Sequence, residues 1–231
     1  MTENQTVQQK SVRRNRLAAA ACFAAALLTA TVVGTQSATA DGAAHRTAGA
    51  ARSAAVTGAV PGLGSADLVQ SEDFFRKGLN PVGATVALTG RQGLSACSGE
   101  ETMRGLTKGK ATAYASVTWT FDSDGLLTES AANAPAKATA ATWEKQLVTL
   151  VQDCQDEPAG HWRYGAAHTL TTTGGTARWY AAYNGDGTVS GGVAVLRSGT
   201  RVAVVELTGR PSYAPASFEG LATAALNRLS S

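Results

Sequence analysis

Chemistry-bearing residues are scarce in this chain. It holds three histidines, three cysteines and two methionines, and no C-x-x-C or H-x-x-x-H spacing occurs among them. No zinc or other metal centre is expected, and no cofactor. The chain has no G-x-S-x-G elbow to expose a serine nucleophile, and no G-x-G-x-x-G follows a strand to seat a dinucleotide. Internal repeats are absent too, which removes solenoids and propellers.

Charge of one sign is also lacking once the N-terminus is set apart. Lys10, Arg13, Arg14 and Arg16 precede an apolar, alanine-rich run, Leu17 to Val33, followed by Ser37-Ala38-Thr39-Ala40. A basic region, an apolar region and an A-x-A site in that order read as a secretory signal peptide, 1–40, cut after Ala40. The apolar run is close to the shortest bilayer span, so an uncleaved, outward-facing N-terminal anchor is the competing reading. Arg13-Arg14 leaves the choice between the general and twin-arginine export routes open. The full chain has 20 Lys+Arg and 17 Asp+Glu; four of those bases and one acid precede Asp41, so 16 of each remain. The basic pI belongs to the leader. No basic cluster with interleaved aromatics survives, and nucleic acid is excluded as a partner.

Cys22 lies inside the apolar run and leaves with it; too little of the run precedes it for a lipidated cysteine. Cys97 and Cys154 remain, and in an oxidising compartment an even pair reads as a disulfide. A catalytic thiol would need a nearby base, and neither cysteine has a histidine close in sequence. Linking positions 97 and 154 would stabilise the fold by roughly 4 kcal/mol in the loop-entropy picture.

Residues 41–62 are Ala, Gly, Ser and Thr with scattered charge, a flexible tether with too few large apolar side chains to order itself. Residues 63–231 suit one domain with one core. Ser65 to Gly78 reads as a short helix, Ala84 to Leu88 as a strand, and Cys97 to Leu106 as a helical turn or two. Ala113 to Phe121 alternates, with Ala113, Ala115, Val117, Trp119 and Phe121 on the apolar side. Ala136 to Cys154 carries a helical stripe of Trp143, Leu147, Leu150, Val151 and Cys154. Four strands follow, at His161–Leu170, Ala177–Tyr183, Gly191–Leu196 and Arg201–Thr208, separated by glycine-rich turns. A final helix, Ser217 to Leu229, lines up Phe218, Leu221, Ala222, Ala225, Leu226 and Leu229. Such an order predicts an α+β domain, an antiparallel sheet with helices packed mainly on one face and one disulfide.

Site candidates are few. His161 and His168 share one predicted strand and would face opposite sides; a small secreted hydrolase using either is the catalytic alternative. Asn184 to Ser190 resembles a fragment of a calcium loop, but Ala182 and Val193 stand where acidic ligands would be needed, so it reads as a hairpin turn. Asp122-Ser123-Asp124-Gly125 reads likewise as a turn. Trp162, Arg163, Arg178 and Tyr180 are the candidate ligand contacts, aromatic and cationic groups of the kind that line clefts. The plainer alternative has Trp162, Tyr164 and Trp179 filling the core with Arg163 and Arg178 in solvent.

The leader and tether, "ACSG" at Cys97, the helix "ATWEKQLVTLVQDC", the hairpin strands and the last amphipathic helix together resemble the PknH-like extracellular sensor domain of actinobacteria, over about Leu63 to Ser231. The resemblance implies an antiparallel sheet with helices, a ligand cleft, no catalytic residues and a sensing or binding role. The family's kinase-borne domain has two disulfides, whereas this chain can form one, Cys97 with Cys154. No kinase domain is present, so a signal would pass through a separate partner. The expectation is a secreted, non-catalytic sensor-like or ligand-binding domain of the actinobacterial cell envelope. Its partner would be a small molecule or an envelope component, and no membrane span remains after cleavage. A purely structural envelope protein is the other alternative.

Overall fold

The computed structural model describes residues 62–75, 78–95, 101–123, 125–158, 160–209 and 215–231. The expected signal peptide, all but the last residue of the tether, and Cys97 lie outside the described residues. Among the described residues, no helix is long and apolar enough to cross a membrane.

Eight strands make one antiparallel sheet: β1 (Pro81–Ala87), β2 (Ala113–Phe121), β3 (Leu126–Asn133), β4 (Arg163–Tyr164), β5 (His168–Thr172), β6 (Gly175–Tyr183), β7 (Val189–Ser198) and β8 (Arg201–Thr208). Their order is β1-β2-β3-β8-β7-β6-β4, with β5 also on β6. Two meanders, β1-β2-β3 and β6-β7-β8, therefore meet where β3 pairs β8. Helices α1 (Ser71–Phe75), α2 (Met103–Leu106), α3 (Lys137–Gln152) and α4 (Pro215–Leu229) complete the α+β domain.

The helices do not gather mainly on one face, as the sequence suggested. Alternate residues of β8 enter two separate cores. Ala203, Val205 and Leu207 pack with Phe218, Leu221, Leu226 and Leu229 of α4. Val202 and Val204 pack with Trp143, Leu147 and Val151 of α3. The central strands are apolar at nearly every position because both of their faces are covered, which is the pattern expected of a doubly buried sheet. Both helical stripes are placed as predicted, with Val148 added to the buried side of α3.

Local departures have local causes. The helix expected over Ser65 to Gly78 is broken into a 3₁₀ turn, Ser65–Asp67, and α1. Asp67 accepts from the Gly64 N–H at 2.6 Å and Asp73 from the Gln70 N–H at 2.8 Å, so each acid starts its own turn. Between them the Val69 backbone is held from the sheet. Its N–H donates to Glu129 Oε2 at 2.7 Å, and its carbonyl accepts from Trp119 Nε1 at 3.2 Å. The single strand expected over His161–Leu170 is two, β4 and β5, both along the same edge of β6. Strand β3 was not expected at all; Thr128, Glu129 and Ser130 interrupt its apolar residues and hide the alternation.

Candidate functional site

Helix α3 packs on β7 and β8. One flank of the helix, Glu144, Lys145, Val148, Thr149 and Gln152, recurs at the spacing that keeps residues on one side. Together with Arg178 of β6 it bounds a groove of about 360 Å³. Arg178 stands mid-strand, in register with Thr169 of β5 and Val195 of β7, and is exposed.

The charges of the groove are unevenly committed. Glu144 is bound to Arg197, Oε2 to Nε at 2.6 Å. Among the described residues, Arg178 and Lys145 have no carboxylate partner. Tyr180 lies two residues along β6 on the face of Arg178. It is fully buried, and its hydroxyl has no hydrogen-bond partner among the described residues. Burial pushes that hydroxyl's pKa up, with Arg178 acting in the opposite direction.

Deeper on this face is a polar row. Tyr164 of β4 donates its hydroxyl to Glu206 Oε1 of β8, and Tyr180 is linked to Glu206 through the Tyr180–Val193–Glu206 register. Burial, then the neighbouring Glu206 charge, pushes the Tyr164 hydroxyl well above the usual phenol range. Trp162 meets Tyr164 edge to face at 4.8 Å and donates to Ser190 Oγ at 3.3 Å.

The four candidate ligand contacts are thus distributed. Arg178 borders the groove, Tyr180 is buried on the same face, and Trp162 is half-buried in the core under α3. Arg163 is in register with Tyr183, on the α4 side. The two histidines do not share a strand: His161 lies before β4, 3.9 Å from Glu157, and His168 stacks on Trp179 at 4.2 Å. Among the described residues, neither hydrogen-bonds to a serine.

The stretch Asn184 to Ser190 is the β6–β7 turn, where Thr188 N–H and Oγ1 both bond Asp186 Oδ1, at 2.9 and 2.7 Å. These bonds lower the pKa of Asp186. Asp122 accepts from Asn80 Nδ2 at 3.1 Å; Asp124 lies outside the described residues. No group of three or more His, Cys, Asp or Glu is placed to hold a metal among the described residues.

Sequence reading missed two buried acids. Glu206 stands out only as one carboxylate within the apolar run "RVAVVELT". Glu129 sits in the strand that was not anticipated. It is fully buried on the α4 side, with Oε1 unpartnered among the described residues. Its pKa is pushed up to about 8, first by burial, against the Val69 hydrogen bond.

No known family profile matches the chain, and no curated protein matches it. Among solved structures, it is similar to the extracellular domain of PknH from Mycobacterium tuberculosis. The TM-score is 0.46 and the identity 14%, over 71% of this chain and 93% of that one. This is a distant likeness of fold.

Proposed function

We propose that this protein is a secreted, non-catalytic, sensor-like ligand-binding domain of the actinobacterial cell envelope, and that its ligand sits between α3 and β6. The observation that carries this reading is the groove itself. A rigid helix flank faces a strand of the sheet, and two cationic side chains border the space without a carboxylate partner among the described residues. The hydrolase alternative has less support, because His161 and His168 are separated and each is engaged elsewhere. A sensing role implies a separate signalling partner.

A thermal-shift screen of the secreted protein against cell-wall fragments, lipids and small metabolites tests the proposal. A binder should raise the melting temperature in wild type and not in a groove variant. No shift across the panel would count against a ligand-binding role and in favour of a structural one.

The export and crosslink proposals have their own measurement. The proposed crosslink joins Cys154, which follows α3, to Cys97. Mass spectrometry of the non-reduced secreted protein should find a chain beginning at Asp41 and lacking two hydrogens. Free thiols on Cys97 and Cys154 would overturn the crosslink.

A further inference from the structure

We infer that the groove between α3 and β6 takes a small organic anion, a carboxylate or phosphate carried on a short apolar chain; the inference rests on reading this groove as the ligand site. Three features converge on it. The first is charge: the groove's one carboxylate, Glu144, is committed to Arg197 at 2.6 Å, while Arg178 and Lys145 have no carboxylate partner among the described residues. An anion entering there meets two free cations and no free acid of the lining.

The second feature is the type and placement of the donors. Arg178 presents a planar guanidinium, which bonds a carboxylate or phosphate through two parallel N–H groups, whereas the Lys145 ammonium adds a point charge from the opposite wall. Arg178 is set on a central residue of β6, hydrogen-bonded on both sides by β5 and β7, so its backbone is fixed before any ligand arrives. Binding therefore orders the side chain alone.

The third is the floor. Val148 is the apolar residue of the lining, buried between the charged positions of α3. The aliphatic stems of Lys145 and Arg178 extend that apolar surface beneath their charged heads. A volume of about 360 Å³ is enough for a small molecule. A head group at Arg178 and Lys145 with a short hydrocarbon on Val148 matches the cationic and apolar parts of the lining.

Four probes of matched length test this on the full secreted chain: hexanoate, hexyl phosphate, hexanol and hexylammonium, titrated while amide resonances are followed by NMR. The two anions should shift the amides of 144–152 and 176–180, and the alcohol and the amine should not. Arg178→Gln and Lys145→Gln should each weaken the anions about tenfold, the size of one charge-assisted hydrogen bond. Arg178→Lys should recover part of the loss, and added salt should weaken binding throughout. The ratio of hexanoate to hexyl phosphate affinity separates the two head groups.

Equal shifts with hexanol, or unchanged hexanoate affinity in Arg178→Gln, would overturn the anion assignment. So would the absence of any shift with all four probes. The wider ligand reading is judged separately: if a neutral cell-wall fragment moves the same amides, the groove is still the site and only its anion preference is wrong.

Discussion

The two faces of the sheet are covered by helices of nearly equal length, 16 residues in α3 and 15 in α4, and are buried by different means. The α4 face is closed by aromatic and aliphatic groups. Phe74 packs edge-on against both Trp119 and Phe121 at 5.1 and 5.2 Å, and Phe218 lies by Trp179 at 6.4 Å. Charged ties seal its rim: Arg228 grips Asp73 and Glu72, and Arg201 holds Asp67 together with the last-turn carbonyl of Leu229. The α3 face carries a polar row, Tyr164, Tyr180 and Glu206, and the open groove beside it. One face resists opening, and the other retains polar groups and space for a ligand.

The sharpest test of this division is Phe218→Ala. The ring rests on Gly192, where even one added Cβ would lie 2.8 Å from it, so nothing nearby can fill the space it leaves. Removal should cost about 3–5 kcal/mol in denaturant unfolding. Amide shifts at the α3 groove should stay in place. A cost below about 1 kcal/mol would mean that the α4 face is not a close-packed core.

Next in size is a pH effect from Glu129, the one buried acid on that side among the described residues. In the folded protein the Glu129 carboxyl is pushed up to about 8, from an ordinary glutamate value of 4.5. Between these values the unfolded chain has released the proton that the folded chain keeps, so stability falls as pH rises. Of the charges that face it, Asp73 on α1 raises the pKa and Arg228 on α4 lowers it. From pH 5.0 to 7.5 wild type should lose roughly 3 kcal/mol relative to Glu129→Gln, measured by urea unfolding at each pH. Parallel stability curves for the two proteins would show that Glu129 does not keep its proton.

Much of this layout was legible in the sequence, and the failures have physical reasons. The α3 and α4 stripes and strand β2 could be read because their periodicity is set by burial of single faces. The presence of helices on both faces could also have been inferred, since "GGVAVL" and "RVAVVELT" are too continuously apolar for one-sided burial. Strand β3 was hidden because Glu129 and Ser130 are buried polar residues, and a pattern read by polarity takes buried acids for surface. At the candidate site, Arg178 was named from the sequence as a candidate ligand contact, and it borders the groove. Its neighbours in the groove, Lys145, Val148 and Gln152, were not, because polar helix residues and a single valine carry no site signal until the tertiary fold brings them beside Arg178.

The smallest effects compare two tyrosines beneath α3. Tyr164 gives its hydroxyl to Glu206, whereas the Tyr180 hydroxyl is buried without a partner among the described residues. Removing a hydroxyl that donates to a buried carboxylate takes a hydrogen bond away from that acceptor, so Tyr164→Phe should destabilise by about 1–3 kcal/mol. Removing one that satisfies nothing relieves a desolvation cost, so Tyr180→Phe should be neutral or stabilising by up to about 1 kcal/mol. The rings are 6.5 Å apart on the same face, on the neighbouring strands β4 and β6, and both are buried, so the comparison turns mainly on the hydroxyl's partner. Equal losses in both variants would mean that the Tyr180 hydroxyl also has a partner in solution, a water or a group carried in by ligand. The polar row would then extend from Glu206 toward Arg178, and the α3 face would be a hydrogen-bonded channel to the groove rather than a core with one unsatisfied hydroxyl.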